Sequence, residues 1–302
     1  MELVLDQIRR PGVPAPPEPI PNIMALRSDA ILTSDRNRRP FLKKHSGPFP
    51  TLSREWLFVD PRIEILHEDD GLLVLNKPAD LVCHPTKGDI YSSLVSRVRI
   101  YLGESSELHL INRLDRETSG VILIAKRLEV ARAWRHAWET GQVRKEYIAI
   151  VHGHPSVDQG SIDAPLGKDV GSIVAIKDCV RADGAPSITD YRVDRRFFRS
   201  GQPFALVAVF PRSGRKHQIR IHLAHLGFPI VGDKIYGPDE LFYLAFVEGR
   251  LTEDQRQRLI LPNHALHAGE LHALCSGQAW SFKAPEPEMF RRFCSEAETQ
   301  AT

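Results

Sequence analysis

From residue 63 onward the chain alternates short apolar runs with charged or glycine-containing breaks. Ile63-Glu64-Ile65-Leu66-His67 and Leu72-Leu73-Val74-Leu75-Asn76 flank Asp69-Asp70-Gly71, a pattern that predicts two strands joined by a tight turn. Val121-Ile122-Leu123-Ile124-Ala125 has no polar interruption and predicts a buried strand. The period then changes. Over Arg127 to Thr140 the residues Ala131, Trp134 and Trp138 recur along one helical face, and Gly141 supplies the stop. The two tryptophans read as core packing, not as a stacking platform. From Val143 the pattern is again that of a strand, in which Val143, Lys145, Tyr147, Ala149 and Val151 share a face.

Tyr191-Arg192-Val193 and Phe204–Phe210 predict later strands. Lys216 to Leu226 predicts a helix with Ile219, Leu223 and Leu226 inward, ended by Gly227. On that helix His217 and Arg220, three residues apart, occupy neighbouring surface. Asp239 to Asn263 is less periodic, and one short exposed helix is expected within it, over Glu248 to Leu259. The whole predicts an α+β fold: a mostly antiparallel or mixed sheet flanked by helices, with a cleft across it.

Residues 1–58 break the pattern. Pro11, Pro14, Pro16, Pro17, Pro19 and Pro21 exclude helix interior and central strand, so this segment reads as an extended arm or linker without a clear domain of its own. The expected division is an arm over 1–58, a catalytic domain over 59–290 and a tail over 291–302. A chain of 302 residues, 42% apolar and 26% charged, can bury a sizeable core and is neither fibrous nor disordered in composition. No apolar run approaches the ~20 residues that span a bilayer. The opening Met1-Glu2-Leu3-Val4-Leu5-Asp6 lacks the features of a secretory leader, so a cytoplasmic location is expected.

Four scattered cysteines, with no Cys-x-x-Cys pair, suit reduced thiols. His264, His267, His272 and Cys275 lie close in sequence but lack the paired spacing of structural zinc sites, so no metal is expected. Net charge is only +2. Its distribution is more informative: Arg212, Arg215, Lys216 and Arg220 fall in a stretch free of acids, and Arg36, Arg38, Arg39, Lys43 and Lys44 form a second basic cluster. Local patches of this kind can neutralise phosphates on an otherwise near-neutral surface.

The candidate chemistry starts in His109-Leu110-Ile111-Asn112-Arg113-Leu114-Asp115-Arg116-Glu117-Thr118-Ser119-Gly120. Here Asp115 sits between two arginines in a polar loop, held at the end of a predicted strand. Alone this would suit a hairpin loop with a surface ion pair. Two further blocks change that reading. One is Arg144-Lys145-Glu146-Tyr147-Ile148-Ala149-Ile150-Val151, with Gly153 after it. The other runs from Gly214-Arg215-Lys216-His217-Gln218-Ile219-Arg220 through His222 to Pro229-Ile230-Val231-Gly232-Asp233. In this order and spacing the three blocks resemble the RluA-type family of pseudouridine synthases. Leu75-Asn76-Lys77-Pro78, Leu266-His267-Ala268 and Phe282-Lys283-Ala284-Pro285 also fit, so the likeness extends from about Glu64 to about Phe290. The family's leading motif normally reads His-Arg-Leu-Asp, whereas here the first position is Asn112.

The resemblance implies a bisected sheet, the pseudouridine synthase fold, with a central RNA-binding cleft. It implies isomerisation of a specific uridine in structured RNA, ribosomal or transfer, without cofactor or metal. Asp115 would be the reacting carboxylate, Arg220 its ion-pair partner, and Tyr147 the residue against the flipped uracil. Arg113 would fill the space the base leaves, with Arg116, Lys145, Arg215 and His217 as further RNA contacts. Structured RNA is the partner implied; no membrane and no obligatory protein partner is expected, and the default is a monomer. The rival reading is a non-catalytic RNA-binding or RNA-folding protein on the same scaffold, which would keep its function without Asp115. A third is a hydrolase releasing free base.

Overall fold

The structure is a computed structural model and describes residues 64–84, 93–103 and 107–295. Strands β1 (Glu64–Glu68) and β2 (Leu72–Lys77) form the expected hairpin. Asp69 closes its turn by accepting the backbone N–H of Gly71 and of Leu72, both at 2.7 Å. Helix α1 (Leu94–Leu102) starts at Ser93, whose hydroxyl accepts the Ser96 N–H. Strand β3 (His109–Leu110) leads into the Asp115 loop, and β4 (Ser119–Ala125) leaves it. Then come α2 (Leu128–Glu139), β5 (Val143–His152), β6 (Gln159–Asp163), β7 (Leu166–Lys168) and β8 (Asp178–Val180). Strands β9 (Ile188–Arg199) and β10 (Gln202–Pro211) precede α3 (Gln218–His225), α4 (Leu241–Val247) and α5 (Glu253–Leu259). Strands β11 (Leu266–Cys275) and β12 (Gln278–Lys283) and helix α6 (Glu288–Ser295) end the described chain.

Ten strands form one sheet in the order β1-β2-β4-β11-β5-β10-β9-β6, with β3 beside β4 and β12 beside β11; β7 and β8 pair separately. Its strand pairs are antiparallel except β4 with β11, which run parallel over only two residue pairs, His267 with Ser119 and Ala268 with Gly120. This short seam divides the sheet into two halves, and the site is built on it. Gly120 is required there: its φ is 112°, and a Cβ would lie 2.1 Å from the Ala268 carbonyl oxygen. Leu73, Leu75, Ile122 and Ile124 pack the core on one side of the seam, against α1. Ile150, Val207, Val209 and Leu223 pack the other. Tyr147 touches both groups.

Several details differ from expectation. Trp134 is buried as predicted, but Trp138 is only half-buried. Helix α3 begins one residue after His217, which caps it in a left-handed backbone conformation. Gln218 to Leu223 are all buried, because α3 lies beneath the cleft floor instead of showing a polar face, while Leu226 is half-buried. Residues 239–263 hold two helices, not one. The start of α5 is set by a capping box between Thr252 and Gln255. The expected domain end at 290 falls inside α6, whose Phe290 and Phe293 are both buried, so packed structure continues to Ser295. The proline-rich arm, the basic cluster Arg36 to Lys44 and residues 296–302 lie outside the described residues. No helix among the described residues is long and apolar enough to cross a membrane.

Candidate active site

Asp115 sits in the loop between β3 and β4, and the loop is fastened at both ends. Asn112 bridges its start to β4, donating from Nδ2 to the Val121 carbonyl (3.2 Å) and accepting the Leu123 N–H at Oδ1 (2.8 Å). An amide supplies both bonds without a titratable ring, so the departure at this position serves as a structural latch. At the far end the Thr118 hydroxyl shares a hydrogen bond with His264 (2.7 Å), and the Ser119 hydroxyl shares one with His267 Nδ1 (2.8 Å). Thr118-Ser119-Gly120 therefore ties the loop to β11 and the residues just before it, through two side chains and one close backbone approach.

Two buried lysines complete the fastening. Lys77 gives its three protons to the carbonyls of Pro78, Leu81 and Arg116, at 2.8, 2.9 and 3.0 Å. Burial without a carboxylate partner lowers its pKa to about 8. Lys234 pairs with Glu117 at 2.7 Å, and Glu117 also accepts the His264 backbone N–H at 3.1 Å. Glu117 stands two residues from Asp115, so this pair fixes the carboxylate's own loop.

On the floor of the cleft, Arg220 bridges two acids. Its Nη1 donates to Asp115 Oδ2 at 2.9 Å, while Nε and Nη2 grip Asp233 in a fork at 2.6 and 2.8 Å. Asp233 is fully buried and accepts the N–H groups of Ile235 and Tyr236 as well, at 2.9 and 3.0 Å. Burial pushes the Asp115 carboxyl up in pKa, but the charge and hydrogen bond of Arg220 bring it below the usual aspartate value. It is therefore ionised at neutral pH. Its Oδ2 is held by Arg220, and Oδ1 has no hydrogen-bond partner among the described residues. Asp233 is held further down by the same guanidinium, against its own burial.

Asp115 and Arg220 line a cleft with about 490 Å³ of empty space, part of it open to solvent. Tyr147 forms part of its wall, and burial together with the Asp115 charge pushes its phenol well above the ordinary tyrosine value. Lys145, two residues earlier on the same strand face, donates to the Ser213 carbonyl at 2.9 Å and lies 5.7 Å from the centre of the Trp138 ring. Burial lowers its pKa to about 8. His217 lines the cleft with Nε2 3.9 Å from Asp115 Oδ2, and Tyr236 lies over Arg220 at 5.1 Å. Arg113 and Arg215 are exposed at the mouth, and neither pairs with an acid among the described residues.

Seven of the eight predicted site residues thus line one cleft. Arg116 does not: its Nε holds Asp80 at 2.7 Å and its guanidinium lies over Phe246 at 5.5 Å. The residues that carry the site's architecture but were not singled out are Lys77, Glu117, Asp233, Lys234 and Tyr236. Lys77, Glu117 and Asp233 lie within the quoted blocks, but no local pattern shows their partners Arg116, Lys234 and Arg220. His264 and His267 serve Thr118 and Ser119, and His272 faces Glu270 at 3.2 Å, so the candidate zinc ligands face separate partners.

Comparison with known proteins places the chain in a family. A family model described as RNA pseudouridylate synthase matches residues 71–225. An RNA pseudouridine synthase of Bacillus subtilis, YlyB, is 33% identical over 235 residues, covering 75% of this chain and 70% of the relative. Ribosomal large subunit pseudouridine synthase D of Pseudomonas aeruginosa is 33% identical over 242 residues, 78% of this chain and 72% of that protein. Among solved structures, human RNA pseudouridylate synthase domain containing 4 superposes with a TM-score of 0.59 at 29% identity, covering 78% of this chain and 94% of that one. Fold and matches together define an isomerase of the pseudouridine synthase class. The chain belongs to the RNA pseudouridylate synthase family, in its RluA-type branch.

Proposed function

We propose that this enzyme converts a specific uridine of a structured RNA, ribosomal or transfer, to pseudouridine, with Asp115 as the reacting carboxylate. The single observation that carries the reading is an ionised carboxylate fixed through one oxygen by a buried arginine, its other oxygen left to the cleft. Ribosomal RNA is the favoured substrate, because the Pseudomonas aeruginosa relative is named for the large ribosomal subunit.

The target nucleotide must leave its stack to bring its C1′ to Asp115 in this cleft. Arg113, exposed at the mouth, takes the vacated space, since a planar guanidinium can stack between bases. Tyr147 packs against the flipped uracil. The C1′–N1 bond breaks with its electron pair passing to the base. Asp115 meets the electron deficiency at the sugar, by Oδ1 attack on C1′ or by taking the C2′ proton. As C5 takes C1′, the Oδ1–C1′ bond breaks in the first route and the proton returns to C2′ in the second, so the carboxylate is regenerated. The uracil turns, C5 bonds to C1′, the C5 proton departs and N1 gains one. Product and substrate are isomers, so the balance needs nothing from outside. Arg215 and Lys145 supply cations for the backbone phosphates, and Arg116 contributes through Asp80 and Phe246 at the rim.

Residues 59–295 carry the reaction in this reading, and the arm over 1–58 contributes to site choice. The enzyme acts as a monomer in the cytoplasm, where its four free cysteines stay reduced. The test is carbodiimide mapping of pseudouridine across total RNA from cells with the wild-type gene, a deletion, or Asp115→Asn. A site present in the first and lost in the other two supports the proposal and names the substrate. Sites that persist with a folded Asp115→Asn protein refute it, and release of free uracil in vitro points to a hydrolase.

A further inference from the structure

Of the residues lining the cleft, His217 is the one non-glycine whose backbone takes a positive φ, 55°. Such a conformation is retained where the surroundings over-determine it, and it marks functional positions. The surroundings here are specific. The next residue, Gln218, is pinned on both ends of its amide, by Ser213 and the Arg215 N–H on one side and by the Ile188 carbonyl and Thr189 on the other. The imidazole meets the Tyr236 ring edge-on at 5.6 Å, and its Nδ1 lies 3.0 Å from the Tyr236 hydroxyl.

That hydroxyl also accepts the Asp178 N–H at 3.3 Å, so its own proton is free to go to Nδ1. Assigning Nδ1 as the acceptor of that proton puts the ring hydrogen on Nε2. At 3.9 Å from Asp115 Oδ2, Nε2 is too far for a hydrogen bond to the carboxylate and has no other partner among the described residues. Burial and the Arg220 charge keep the ring neutral, with a pKa of about 4. The result is a neutral N–H donor with its orientation fixed beside the reacting carboxylate.

We infer that His217 is a catalytic residue: its Nε2–H donates to a carbonyl oxygen of the uracil and carries part of the charge that collects on the base as the C1′–N1 bond breaks. This rests on the reading of Asp115 above. It makes His217 a contact of the base, not of the RNA backbone. A neutral donor suits the task, because its hydrogen bond strengthens as the base becomes anionic and it adds no second full charge to compete for Asp115.

The test is single-turnover isomerisation at saturating RNA, with uridine or 5-fluorouridine at the target, following loss of the N1-linked nucleoside. Asparagine tolerates the left-handed backbone but is too short to reach; glutamine places an amide N–H near the position of Nε2. With uridine, His217→Asn should lose about 100-fold and His217→Gln no more than about tenfold, with RNA affinity kept. Because 5-fluorouracil is the better leaving group, the His217→Asn defect should shrink about tenfold on that substrate. Tyr236→Phe leaves position 217 intact and frees Nδ1; it should show the same pattern at about threefold to tenfold, and covers the case of a position-217 variant that does not fold. Equal defects on both substrates, equal loss in the Asn and Gln variants, full activity of His217→Asn, or a loss confined to RNA affinity would each overturn the inference. Asp115→Asn is run in parallel. If it is inactive while His217→Asn is unimpaired, only this inference falls; if it turns over normally, the reading of Asp115 falls first.

Discussion

On the floor of the cleft, Arg220 spends its guanidinium on protein, with Asp233 gripped by two nitrogens and Asp115 by the third. On the rim, Arg113 and Arg215 stand exposed and face no acid among the described residues. The same residue type is used for opposite ends. Burying the floor charges costs desolvation, and that cost is tolerable only because each has bonded partners. What the arrangement gains is position, since every nitrogen of the guanidinium has a set direction. The rim cations bear little desolvation and keep their bonding capacity for a ligand's phosphates. The difference separates groups whose loss should stop the reaction from groups whose loss should only loosen the RNA.

The sharpest way to break that distinction is at its centre. Asp115→Asn is nearly isosteric and leaves Arg220 still forked to Asp233, so single-turnover isomerisation should fall at least about a thousandfold while the fold survives. Thermal melting checks the second half: a midpoint that collapses would mean Asp115 is chiefly structural. Asp233→Ala should do the reverse in emphasis. It strips a buried cation of its main partner, costing about 3–5 kcal/mol, or on the order of 10 °C in melting temperature, along with most of the activity. An Asp233→Ala protein as stable as wild type would show that water or Asp115 alone can satisfy Arg220.

How far the sequence exposed this floor depends on distance along the chain. Lys145 and Tyr147 were legible as neighbours because a strand brings every second side chain to one face. Asp115 and Arg220 were legible only through family likeness, since 105 residues separate them and no local pattern pairs them. The Lys234–Glu117 pair, 117 residues apart, had no signal at all. Helix α4 went unseen for another reason. Its run Leu241-Phe242-Tyr243-Leu244-Ala245-Phe246-Val247 is apolar on every face, so no period distinguishes a short helix from a strand. The left-handed turn at His217 was hidden too, because histidine lacks the signature that glycine gives such a position.

A smaller effect should come from the neutral rings around the floor. Burial lowers the pKa of His217 to about 4, of His264 to about 3 and of His267 to about 4, from an ordinary value of 6.5. Between those limits the unfolded chain binds protons that the folded chain refuses, so stability falls as pH drops from about 6.5 toward about 4. Each ring contributes on the order of 1 kcal/mol per pH unit within its window. Asp115 and Asp233 titrate below the ordinary aspartate value of 3.8, so they do not share that window. Urea unfolding midpoints at pH 7.5 and pH 5 measure it, and an unchanged midpoint would mean these rings take up protons inside the fold.

The rim gives the smallest effect and the cleanest signature. An exposed arginine that meets one phosphate releases counterions on binding, so its removal changes how affinity depends on salt more than it changes chemistry. Arg215→Ala should lower the slope of log affinity against log salt by about 0.7 to 0.9, the value expected for one phosphate contact. The single-turnover rate at saturating RNA should stay within about twofold, because the residue holds neither Asp115 nor Arg220. Lys145 falls between the two regions: it is half-buried, it is bonded to a carbonyl instead of an acid, and its pKa is about 8. Its charge is therefore lost as pH rises from about 7 to about 9, and with it any phosphate contact it makes. Affinity that weakens over that range in the wild type, and no longer does so in Lys145→Met, would assign Lys145 to the rim. A rate that collapses in Lys145→Met at saturating RNA would place it on the floor.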